Sequence, residues 1–142
     1  MNAITANAGL LLRIIGAMNI ALLFFVTPLY TGGWLARMAP TLFADAGVFV
    51  IALWGLVYLV VAGDPVRYTR LFPVLALEKA FYAATWAVWL MHNGPQLPSL
   101  FATDPLAGLF YAGYGLWDGT CALVLLVLWR GRYPVPADAT PK

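Results

Sequence analysis

From Phe72 to His92 the chain is an apolar run long enough to cross a bilayer, and near its middle it carries Glu78 and Lys79 side by side. A charge at the centre of a spanning helix costs about 2.5–3.5 kcal/mol on insertion scales, while each Leu, Val or Phe returns only about 0.3–0.6. Two charges left alone would nearly cancel the drive of this run to insert. A chain that contains it must therefore supply partners for both charges from neighbouring helices.

The rest of the chain is suited to that task. Of its 142 residues, 63% are hydrophobic and 10% charged, against about a quarter charged in soluble domains. Too few polar groups remain to wet a globule, so lipid must cover much of the surface. The spacing of apolar runs predicts an all-α, polytopic membrane protein with four transmembrane helices in an up-down-up-down bundle. The spans cover about 8–27, 46–63, 72–92 and 106–129, within one membrane domain of residues 1–132. The remaining 133–142 segment, rich in Pro and Ala, is expected as a disordered cytoplasmic tail.

Local signals set the boundaries. The first span ends at Thr27-Pro28. No cation precedes it, Arg13 lies inside the apolar run, and no small-residue cleavage site follows, so a retained helix is expected rather than a signal peptide. Residues 30–45 are expected as a loop, with Gly32-Gly33 and Pro40 as breakers and Trp34, Leu35 and Met38 at the interface. Asp64-Pro65 and Asp104-Pro105 each signal a turn or helix cap, Asn93-Gly94-Pro95 ends the third span, and the stretch from there to Asp104 reads as loop. Arg13, Arg67, Arg70, Arg130, Arg132 and Lys142 fall on one side and Arg37 on the other. The positive-inside rule then places both termini in the cytoplasm.

Helix rise of about 1.5 Å per residue puts Glu78 and Lys79 about 12–14 Å, and Asp118 about 18 Å, below the cytoplasmic surface. Asn19, Tyr58 and Trp54 fall at similar depth, so all four spans are expected to contribute to one polar layer. Glu78, Tyr82, Thr85, Trp89 and His92 share a helical stripe, as do Tyr111, Tyr114, Asp118 and Cys121. Lys79 is turned away from Glu78, because adjacent residues do not share a helix face. The expected arrangement pairs Lys79 with Asp118 and leaves Glu78 to bond Tyr82, Tyr58 or Asn19. Candidate binding residues are thus Glu78, Lys79, Asp118, Tyr82, Asn19, Tyr58, Trp86 and Tyr114. Gly9, Gly16, Gly55, Gly115 and Gly119 are expected to let helices approach closely. An offset of 60 aligns Ala52, Trp54, Gly55, Leu56 and Ala62 with Ala112, Tyr114, Gly115, Leu116 and Ala122, and also Asn19 with Lys79 and Tyr58 with Asp118. A duplicated helical hairpin would produce such a pattern.

The composition excludes several functions. The net charge of +2 is small and scattered, with no basic run interleaved with aromatics, so nucleic acid is not an expected partner. The single cysteine, Cys121, rules out an internal disulfide and a multi-cysteine metal site, and the single histidine, His92, rules out a bis-histidine haem within one chain. No metal or cofactor is expected.

Arg13, the run Ala62-Gly63-Asp64-Pro65-Val66-Arg67-Tyr68-Thr69-Arg70, Glu78-Lys79 and Asp118 resemble a widespread group of small bacterial four-helix membrane proteins. A looser likeness, through Arg13-x-x-Gly16 and the number of spans, is to DoxX-type four-helix proteins. The resemblance implies the fold and the bacterial inner membrane, and brings no activity with it. Three functions fit the residues. In order of preference they are a non-catalytic accessory subunit or lipophile-binding bundle, a small proton-coupled transporter or exchanger using Glu78 and Asp118, and a membrane enzyme acting on a lipid-soluble substrate. The expected partners are the lipid bilayer, a small lipophilic ligand, and further copies of the chain or a larger membrane complex.

Overall fold

The computed structural model describes the backbone of residues 3–25 and 45–130, and the side chains of 7–23 and 46–130. All regular structure among them is helical. The helices are α1 (Ala3–Phe25), α2 (Asp45–Gly63), α3 (Phe72–Asn93), α4 (Leu97–Thr103) and α5 (Pro105–Arg130), with 3₁₀ turns at Thr69–Leu71 and Gly94–Gln96. α2, α5 and the stretch Thr69–Thr103 that contains α3 are each long and apolar enough to cross a membrane, and α1 carries a shorter apolar stretch, Asn7–Leu23. The loop expected over 30–44, Arg37 within it, Arg132 and the tail expected over 133–142 lie outside the described residues.

The helices group into two compact units, Met1–Pro65 and Val66–Lys142. In the first, α1 packs on α2. Ala8, Leu12, Ile15, Gly16 and Asn19 are buried on α1, and Val48, Ile51, Ala52, Gly55, Tyr58, Val61 and Ala62 on α2. Both sets recur every three or four residues, so each helix buries a single stripe. The stripes meet where two glycines leave the backbones bare. A Cβ on Gly16 would stand 2.8 Å from the Gly55 carbonyl oxygen, and a Cβ on Gly55 would stand 2.8 Å from that of Gly16. Gly9 is different, since a Cβ there would be 3.5 Å from its nearest neighbour, an ordinary contact.

In the second unit α3 packs on α5 along a similar pair of stripes. Phe72, Leu75, Ala76, Glu78, Lys79 and Tyr82 are buried on α3; Tyr111, Gly115, Asp118, Cys121, Ala122 and Leu125 are among those buried on α5. Pro73 lies in the first turn of α3, where a missing N–H costs little. The stretch between 93 and 104, expected as a loop, holds the short helix α4 instead. Asp104 closes α4, its N–H donating to the Leu100 carbonyl at 2.7 Å, and opens α5, its carboxylate accepting from the Ala107 N–H at 3.1 Å. That is the N-cap expected at Asp104-Pro105. Phe101 of α4 lies against Gly108, where a Cβ would stand 2.7 Å from the ring.

The 60-residue offset carries the buried stripe of each helix in the first unit onto that of its counterpart: Leu12, Ile15, Gly16 and Asn19 correspond to Phe72, Leu75, Ala76 and Lys79, and Gly55, Tyr58 and Val61 to Gly115, Asp118 and Cys121, all buried. Gly55 and Gly115 correspond, yet Gly55 faces Gly16 and Asn19 whereas Gly115 faces Trp86. At that offset the counterparts of Gly16 and Asn19 are Ala76 and Lys79, so the residue that fills the space beside the glycine differs between the two units while the buried stripes correspond.

Candidate functional site

The site lies where α3 and α5 bring their ionisable residues together. Lys79 Nζ is 2.9 Å from Asp118 Oδ1 and 3.8 Å from Glu78 Oε1. The three side chains are 3%, 11% and 4% exposed, so the ion pair is buried. The expected Lys79–Asp118 pair is present. Glu78 also lies within ion-pair distance of the same ammonium. The helix places Cβ of residues 78 and 79 about 100° apart, but the lysine stem is long enough to bring its ammonium back between the two carboxylates. The closer contact is a charge-assisted hydrogen bond; the longer is an ion pair without one.

Aromatic rings surround the charges. The Lys79 ammonium is 5.9 Å from the centroid of the Tyr82 ring, near the outer limit of a cation–π contact. One turn further along α3, the Trp86 indole N–H donates to the Tyr111 carbonyl of α5 at 2.7 Å, and its ring meets Tyr114 edge-on with centroids 6.4 Å apart. Gly115 makes this possible, since a Cβ there would overlap the indole itself. The Thr85 hydroxyl donates to the Tyr82 carbonyl of its own helix at 2.9 Å. Beyond them Trp89 stacks on Tyr111 at 4.3 Å and Phe110 on Tyr114 at 4.8 Å. The rings therefore pack mainly on one another and on the helix backbones.

Of the expected site residues, Glu78, Lys79, Asp118 and Tyr82 come together, and Trp86 and Tyr114 form the next layer. Asn19 and Tyr58 belong to the first unit, where both are buried, Asn19 beside Gly55. His92 is exposed and bonds the Val88 carbonyl of its own helix at 2.7 Å. Cys121 is buried beneath Asp118 on the same stripe. Among the described residues no three His, Cys, Asp or Glu side chains form a group able to hold a metal ion.

Two features escaped the sequence reading. The indole-to-carbonyl bond of Trp86 leaves no trace in spacing, because its acceptor is backbone. Phe110 was overlooked, although its four-residue separation from Tyr114 is the signal for a pair on one helix face. No protein-family model, no curated protein and no solved structure matches the chain.

Proposed function

We propose that this chain is a small integral membrane protein of the bacterial inner membrane, crossing it four times through α1, α2, α3 and α5 with both termini in the cytoplasm. Its role is non-catalytic, as an accessory subunit or lipophile-binding bundle that works with further copies of itself or within a larger membrane complex. One observation carries this reading. The deepest charges are committed to holding helices, with Lys79 and Asp118 in contact at 2.9 Å and almost wholly covered. Helices in lipid lack a hydrophobic force to pair them, so polar contacts of this kind and close glycine packing take its place. Large apolar side chains facing outward, such as Leu77 and Leu106 at 70% and 73% exposure, support lipid as the surrounding medium. The resemblance through Arg13, the 62–70 run, Glu78-Lys79 and Asp118 supports the bacterial setting.

A second reading, a proton-coupled exchanger, draws on the presence of two carboxylates around one ammonium, since buried ionisable groups in membranes often mark proton paths. Vesicles containing the purified protein and a pH-sensitive dye separate the two. A structural role predicts that an imposed pH gradient decays as in empty vesicles, with or without Glu78→Gln. A faster decay that Glu78→Gln abolishes would overturn the non-catalytic reading in favour of exchange.

A further inference from the structure

The second unit is electrically polarised from end to end. Arg67 and Arg70 lie in the turns leading into α3, and Arg130 ends α5. Lys79 of α3 pairs with Asp118 of α5 and, further along α3, Trp89 stacks on the earlier Tyr111, so the helices run antiparallel, and counting outward from the ion pair brings Arg130 level with the 67–70 turn. All three arginines are exposed. Arg70 and Arg130 take part in no ion pair among the described residues. No Asp or Glu occurs in residues 65–77 or 119–130, and the nearest carboxylate in the chain, Asp64, stands three residues before Arg67. The opposite end, residues 89–108, carries Asp104 and His92 but no Lys or Arg.

What surrounds the arginines is apolar and aromatic. Val66, Leu71, Val74, Val127 and Trp129 are all exposed, and Tyr68 lies beside Arg67, whose guanidinium carbon is 5.6 Å from its ring centroid. Guanidinium groups bind phosphate oxygens in a two-pronged fashion. The apolar side chains along the helices below them would face acyl chains, which free phosphate lacks. We propose that the Arg67–Arg70–Arg130 end of the second unit is a binding site for an anionic phospholipid, with the arginines on the headgroup phosphate, Tyr68 and Trp129 at the level of the headgroups, and Val74 and Val127 along the chains. Such a site would select anionic over zwitterionic lipid and anchor this end at the anionic leaflet.

Native mass spectrometry tests this on the full chain, purified in detergent and supplied with equal amounts of dioleoyl phosphatidylglycerol and dioleoyl phosphatidylcholine. The wild type should retain phosphatidylglycerol preferentially. Each arginine contributes about fivefold to the preference, so Arg67→Gln, Arg70→Gln and Arg130→Gln together bring it close to parity. The corresponding triple lysine variant should keep most of it, and Arg13→Gln, which removes a cation from the first unit, should leave it unchanged. If the triple glutamine variant does not fold, Arg130→Gln alone should still lower the preference by about fivefold. Equal retention of both lipids by the wild type, or an unaltered preference after loss of the arginines, overturns the proposal.

Discussion

Trp86 and Gly115 are one unit of packing written at two distant positions. The indole fills the space a glycine leaves on α5 and donates to the Tyr111 carbonyl. Gly115→Ala must therefore displace a large ring that is also hydrogen-bonded, and overpacking of this kind costs about 1–3 kcal/mol. Gly119 lies one turn on, yet a Cβ there would be 3.7 Å from Ala83. At that site alanine meets only ordinary contact and gains helix propensity over glycine. Thermal unfolding in detergent should show Gly115→Ala clearly destabilised and Gly119→Ala unchanged or slightly more stable; equal losses at both would contradict this packing. By helical spacing the two glycines look alike. The sequence offers no way to tell them apart, because what separates them is whether a side chain from another helix points at the position. The lysine stem is a similar case. Position on the helix correctly sets Glu78 and Lys79 on different faces, but it says nothing of where a flexible ammonium comes to rest.

At the level of elements, the extents of α2, α3 and α5 were legible because apolar runs bounded by Asp-Pro, Asn-Gly-Pro and arginine leave little choice of ends. α4 was not. Leu97-Pro98-Ser99-Leu100-Phe101-Ala102-Thr103 has too few residues to show a period, and its proline sits in the first turn, where a helix tolerates it. Asp104 is the joint between α4 and α5. Its carboxylate caps α5, and Phe101 on Gly108 folds the short helix back against the first turn of the long one. Asp104→Ala should cost about 0.5–2 kcal/mol through the lost cap, whereas Asp104→Asn or Asp104→Ser should recover most of it. Hydrogen exchange localises the effect. Faster exchange confined to residues 97–108 is expected, and uniform acceleration along α5 would argue against a local cap. The apparent repeat belongs to this scale too. Its offset aligns the buried stripe of α1 with that of α3 and the stripe of α2 with that of α5, a correspondence that residue identity shows at few positions because side chains of different size and polarity fill the same face.

For the whole chain, the charge distribution makes a prediction independent of packing. Arg13, Arg67, Arg70, Arg130, Arg132 and Lys142 share one side on the proposed topology, opposed by Arg37 alone. A green fluorescent protein fused after Lys142 should fluoresce in a bacterial host, and alkaline phosphatase at the same place should be inactive. The reverse pair of results would invert the topology. The pairing of Lys79 with Asp118 was legible because so few deep charges were available to choose from. The use to which it is put was not, because a buried ion pair has the same residues whether it holds helices or serves a site.

The most direct measurement is a double-mutant cycle on that pair, with unfolding of the purified protein followed in mixed micelles. Removing one partner of a buried pair costs about 3–5 kcal/mol, whereas replacing both by apolar residues of similar volume is often neutral. Lys79→Met should be the more damaging single change, since it leaves Glu78 and Asp118 together without their shared ammonium. Asp118→Leu should be milder, because Lys79 keeps Glu78 at 3.8 Å. If the pair holds α3 on α5, the Lys79→Met, Asp118→Leu double variant is more stable than the lysine variant alone, and it stays below the wild type because Glu78 has lost its ammonium. Losses that simply add would show that the two residues act independently, and would contradict a pair that locks these helices together.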